Sequence, residues 1–81
     1  MDINELRKEA QDLDVSVWVG KKGLENVVDE LSGQLSSNKL VKVKFLRSAR
    51  ARKETEELAK TLADKTGSTL VEVRGNTAVF H

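Results

Sequence analysis

Residues 40–46 read LVKVKFL, and no other stretch limits the fold of this chain as tightly. Val41, Val43 and Phe45 alternate with Lys42 and Lys44. A β-strand turns successive side chains to opposite faces, so this run predicts a strand with one dry face and one wet face.

The segments around it have other periods. Ile3, Leu6, Ala10 and Leu13 recur at helical spacing and predict a first helix near residues 2–13. Val15, Val17 and Val19 alternate with Ser16 and Trp18, which predicts a first strand. Leu24, Val27, Val28, Leu31 and Leu35 form the apolar stripe of a second, core-facing helix, with Gly33 weakening its end. Thr55, Leu58, Ala59, Leu62 and Ala63 make the inner stripe of a third helix. Gly67 stops it, and Lys65 sits in its last turn, where a cation suits the helix dipole. Residues 68–74 (STLVEVR) and 77–81 (TAVFH) then read as third and fourth strands joined by the two-residue turn Gly75-Asn76, both residues tolerating positive φ. That turn is expected to set Val73 opposite Ala78 and Val71 opposite Phe80.

The predicted order is α-β-α-β-α-β-β, an α/β chain of the α+β two-layer kind with a four-stranded mixed sheet. The first three strands should share one direction through right-handed crossovers, and the last should run antiparallel to the third. The second and third helices should cover the face bearing Val17, Val19, Val41, Val43, Val71 and Val73. The opposite face would carry Ser16, Lys42, Lys44, Glu72 and Arg74, with Trp18, Leu40, Leu70 and Val79. The first helix is expected to shelter part of that face or an edge, and Trp18, which could also stack on a base, is expected to pack beneath it. With 81 residues, 38% hydrophobic and 33% charged, residues 1–81 read as a single thin domain. The chain opens on Met1 and reads as a complete small protein.

The residue inventory argues against several functions. There is no cysteine, so neither a disulfide nor a thiolate metal site can form. The one histidine is the terminal His81, which leaves almost no material for a nucleophile–base pair or a metal cluster. Glu54, Glu56, Glu57 and Asp64 fall mainly on the outer face of the third helix, where carboxylates are ordinarily solvated. Hence an enzyme is not expected, nor a catalytic residue, cofactor or metal. The start MDINELRKEA is too polar for a signal peptide, and no apolar run approaches the ~20 residues of a membrane span. A cytoplasmic monomer is the expectation.

Net charge is only +1, but the charge is segregated. Residues 39–53, KLVKVKFLRSARARK, hold seven bases and no acid, whereas residues 24–38 hold three acids and no base. Such asymmetry points to a polyanionic partner better than the net value does. Upstream, GKKG at residues 20–23 joins the first strand to the second helix. Two readings of it stand side by side. It is a tight turn with solvated lysines, or it is a phosphate cradle in which glycines admit close approach, Lys21 and Lys22 supply charge, and helix N-terminal amides donate. No G-x-x-x-x-G-K-[ST] or G-x-G-x-x-G run occurs, which argues against a nucleotide cofactor. A GxxG loop that clamps an RNA backbone, as in KH domains, stays open. Gly20 should lie at the carboxyl end of the first strand. Lys42 and Lys44, then Arg47, Arg50, Arg52 and Lys53, line the second strand and the same sheet edge, where ligands of parallel sheets gather.

Taken together, VWVGKKGL, LVKVKFL and ARKETEELAKTLADKTGSTLVEVRGNTAVF resemble the CRM domain (chloroplast RNA splicing and ribosome maturation, including the bacterial YhbY proteins) across nearly the whole chain. The resemblance implies a fold like the C-terminal domain of bacterial translation initiation factor three. It implies RNA binding through Gly20, Lys21, Lys22 and Gly23, with Leu24 as inward anchor. It further implies a role in large-subunit ribosome assembly or another RNA-folding step, with ribosomal RNA or its precursor as partner. The chain departs from the family pattern at Glu25, where many members have Thr, in the basic RSARAR after the second strand, and in lacking a basic tail. The alternative is a protein-interaction module that docks on ribosomal or RNA-processing factors through a mixed face around Trp18 and Leu70.

Overall fold

The computed structural model describes residues 2–51 and 53–81. Its elements are α1 (Ile3–Ala10), β1 (Val15–Val19), a single 3-10 turn (Leu24–Asn26), α2 (Val28–Ser37), β2 (Val41–Phe45), α3 (Thr55–Thr66), β3 (Leu70–Arg74) and β4 (Thr77–Phe80). The ends are set locally. Asp2 caps α1 by accepting the Glu5 N–H at 3.0 Å. Gly67, at φ 65°, ends α3 in the left-handed conformation that only glycine adopts without strain.

The result is a mixed α+β domain with a four-stranded mixed sheet in the order β1-β2-β4-β3. β1 and β2 are parallel, with Val17 opposite Val43 and Val19 opposite Phe45. β4 is antiparallel to both of its neighbours. β3 therefore shares the direction of β1 and β2, yet β4 inserts between it and β2. The hairpin turn folds β4 onto the flank of β3 that faces β2, which makes it an interior strand. Ala78, Val79 and Phe80 are all fully buried as a consequence. In that turn Gly75 alone takes a positive φ, 59°. Asn76 does not take a positive φ, so of the two residues only glycine uses the freedom the turn allows.

Two apolar clusters flank the sheet. The main one sets Val27 and Leu31, with Leu58, Ala59, Leu62 and Ala63 of α3, against Val17, Val19, Val41, Val43, Phe45, Ala78 and Phe80. The smaller one joins Leu6 and Ala10 of α1 to Leu40, Val71 and Val79 on the other face. The helix α1 thus adds a partial third layer, as its apolar stripe predicts.

The strand β3 departs from simple alternation. A register shift lies between Leu70 and Glu72, with Leu70 opposite Phe80 and Glu72 opposite Val79. One extra residue in a strand reverses the faces of everything before it. Leu70 consequently packs on the main core, and Val71 joins the α1 cluster. The expected pairing of Val71 with Phe80, and the expected faces of Leu70 and Val71, are corrected by this bulge, while Phe80 keeps its expected core face. The carbonyl of Val71 accepts a hydrogen bond from Arg7 Nε at 3.2 Å, so α1 supplies a partner at the irregular point of the ladder.

Trp18 is also corrected. It is 54% exposed, because α1 sits over Leu40, Val71 and Val79 and not over β1, which is an edge strand.

Candidate nucleic-acid interface

The loop at residues 20–23 closes on itself, the Gly23 N–H reaching the Gly20 carbonyl at 3.0 Å. Gly23 has φ 80° and ψ −167°, a conformation confined essentially to glycine. The loop does not run directly into a long helix. The 3-10 turn intervenes and α2 begins only at Val28, so the expected helix N-terminus at Leu24 is displaced. The dipole of α2 is therefore set back from the loop, because such effects fade within the first turn. The positive character of the loop comes from Lys21 and Lys22, both exposed.

Gly20 connects this loop to the basic segment after β2. A methyl group on Gly20 would stand 3.7 Å from Leu46 Cδ1 and 3.9 Å from Ser48 Oγ. The Leu46 N–H donates to the Val19 carbonyl at 2.8 Å, extending the β1–β2 ladder past the end of β2. The loop and the turn that carries Arg47 are therefore backbone neighbours at one sheet edge.

The basic side chains are not equivalent. Lys42 is half-buried and donates to the Leu13 carbonyl at 3.2 Å, at the junction of α1 and β1. Arg50 is half-buried and donates through Nε to the Phe45 carbonyl at 2.9 Å, closing the turn after β2. Lys44 and Arg47 are exposed. Lys44 stands opposite Trp18 in the register. Lys53 is exposed and borders an open cleft of about 530 Å³ with Arg50, Glu54, Glu56, Val73 and Gly75, where carboxylates offset the cations. Arg52 falls outside the described residues. Among the described residues, Lys21, Lys22, Lys44 and Arg47 have no acidic partner within ion-pair distance.

Sequence patterning missed two features of this region. The carboxylate of Glu25, adjacent in sequence to the loop, is paired with Lys65 of α3 at 2.9 Å. Trp18 lines a groove of about 280 Å³ at the loop end of β1, together with the whole GKKG loop, Asn26 and Val27. The alternation of β1 marks Trp18 as pointing away from the main core, but not that α1 leaves it open.

Comparison with known proteins agrees with this architecture. The chain is 38% identical over 71 residues to the probable RNA-binding protein MJ0652 of Methanocaldococcus jannaschii, covering 88% of this chain and 53% of that protein. It thus spans about half the length of that curated relative. The solution structure of SAV1595, a hypothetical protein of Staphylococcus aureus described as a candidate RNA-binding protein, superposes with a TM-score of 0.78 at 34% identity. That match covers 98% of this chain and 81% of SAV1595. The model of the CRS1 / YhbY (CRM) domain matches residues 1–81, and the chain belongs to that family.

Proposed function

We propose that this chain is an RNA-binding protein without catalytic chemistry, which holds the RNA backbone through the loop at Gly20, Lys21, Lys22 and Gly23. Lys44 and Arg47 extend the contact, and Lys42, Arg50, Arg52 and Lys53 form its flank. One observation carries the reading. The hydrogen bond from the Leu46 N–H to the carbonyl of Val19, the residue before Gly20, brings two separately encoded cationic segments to one edge. Four exposed cations without acidic partners on one edge make a site for phosphates rather than for a neutral ligand. The resemblance of the chain to proteins named for RNA binding supports the same partner. Within the family, the role that fits is a step in large-subunit ribosome assembly or a related RNA-folding event in the cytoplasm.

The docking alternative loses its surface. Trp18 and Leu70 lie on β1 and β3, the two opposite edges of the sheet, and Leu70 packs on the main core.

The test is binding to single-stranded RNA across a salt series. Contact with about four phosphates gives a slope of log affinity against log salt near −3. The double variant Lys21→Ala/Lys22→Ala should keep its circular dichroism spectrum, bind much more weakly, and lose roughly 1.4 from the magnitude of that slope, about 0.7 per phosphate released. Unchanged affinity and slope would remove the loop from the site.

A further inference from the structure

We propose that the groove between Trp18 and the GKKG loop receives one unpaired nucleobase, stacked on Trp18, from the same RNA strand whose phosphates lie on Lys21 and Lys22. This rests on the backbone-binding reading above and adds a base to it.

Three observations converge. Trp18 is the only tryptophan of the chain and is 54% exposed, whereas the phenylalanines Phe45 and Phe80 are fully buried. Aromatic rings that bind single strands must present a free face, and among these three only Trp18 can do so. The ring also does not stand alone on the surface. It shares its groove with Gly20, Lys21, Lys22, Gly23 and Asn26, so any molecule against the ring lies beside the loop cations. Lastly, Lys44 stands opposite Trp18 in the β1–β2 register and is exposed, placing a further cation on the flank of the ring.

Size and charge select the occupant. About 280 Å³ is at or below the small end of ligand sites, roughly 300–1,000 Å³, which suits a single ring system and not a duplex. Cations on both sides of an apolar floor match a base with a phosphate on either side, and they match an uncharged apolar helix poorly. Asn26 is exposed at the groove wall and brings an amide with two donors and an acceptor, the groups that pair with base edges. Since stacking accepts every base, the groove favours single-stranded over double-stranded RNA with little preference among sequences.

Because Trp18 is the sole tryptophan, its fluorescence reports this groove alone. The intact protein is titrated with a short single-stranded RNA oligonucleotide and, as a base-free polyanion, with inorganic polyphosphate. RNA should quench the emission. Polyphosphate should compete with RNA for the protein yet leave the emission unchanged. Trp18→Ala should bind the oligonucleotide about 5- to 150-fold more weakly with an unaltered salt slope, and Trp18→Phe should retain most of the affinity. An unfolded variant would be recognised by its circular dichroism, and the quenching arm tests the idea on the parent protein in any case. If Trp18→Ala binds like the parent while Lys21→Ala/Lys22→Ala does not, the base site is refuted and the backbone reading stands. If neither variant weakens binding, both readings fall. Loss of a protein partner by Trp18→Ala at unchanged RNA affinity would reassign the groove to protein docking.

Discussion

The carboxylate of Glu25 lies 2.9 Å from the ammonium of Lys65, tying the 3-10 turn after the GKKG loop to the last turn of α3. An acid next to a phosphate-binding loop would oppose its ligand by simple repulsion. Here that charge is already engaged by a cation from a distant part of the chain. Both side chains are substantially exposed, 76% for Glu25 and 41% for Lys65, so the pair adds little stability, about 0–1 kcal/mol. Its consequence is electrostatic. Glu25→Thr frees Lys65 and should leave the melting temperature nearly unchanged while raising RNA affinity at low salt. Lys65→Ala leaves the carboxylate uncompensated and should lower affinity several-fold at low salt, with the difference fading as salt rises. Equal affinities for the two variants, measured by filter binding, would show that the pair does not shield the loop.

The two glycines of the loop should respond differently to alanine. Gly23, at φ 80°, has open space around it, so Gly23→Ala meets backbone strain and no clash. Strain of this kind costs about 1–3 kcal/mol. In a domain of this size each kcal/mol is worth about 4–8 °C of melting temperature. Gly20 does not have a positive φ, and a methyl there makes ordinary contacts with Leu46 and Ser48. Gly20→Ala should therefore melt within a few degrees of the parent. Thermal denaturation of both variants checks the order, and a reversed order would mean that the loop is not held as described.

Within the basic run, position does not equal function. Lys42 donates to the Leu13 carbonyl and Arg50 to the Phe45 carbonyl, whereas Lys44 and Arg47 stand free in solvent. Lys44→Ala and Arg47→Ala should each reduce the salt slope by about 0.7 without altering stability. Lys42→Ala and Arg50→Ala should instead lower stability by about 0.5–1.5 kcal/mol per hydrogen bond lost and change the slope less. Combined salt titration and chemical denaturation separates the two groups.

The seating of α1 depends on few residues. Leu6 is 3% exposed against Val71, Val79 and Leu40, whereas Ile3 on the same helix is 38% exposed. Leu6→Ala should cost about 2–5 kcal/mol and Ile3→Ala much less. Leu31→Ala, at the centre of the main core, should fall in the same range as Leu6→Ala. Urea denaturation measures all three, and a negligible loss for Leu6→Ala would mean that the outer face is stable without α1.

The period of the apolar residues was enough to order the helices and strands, though not to set the start of α2 or the bulge in β3. Val41, Val43 and Phe45 are buried as their alternation with lysine requires, and Leu58, Ala59, Leu62 and Ala63 face inward as their helical spacing requires. These features depend on residues close in the chain, and local periodicity encodes them. The glycine loop was legible for the same reason, since Gly20 and Gly23 mark it within four residues. What periodicity does not encode is how distant segments meet. The insertion of β4 between β2 and β3 depends on which flank of β3 the hairpin takes. The bulge before Glu72 exchanges Leu70 and Val71 between faces although the residue types are equally apolar. The position of α1 left Trp18 open, and the reach of Lys65 engaged Glu25. Each of these was decided by packing between segments far apart in sequence, where the lowest free energy belongs to the whole assembly and no single stretch of residues specifies it.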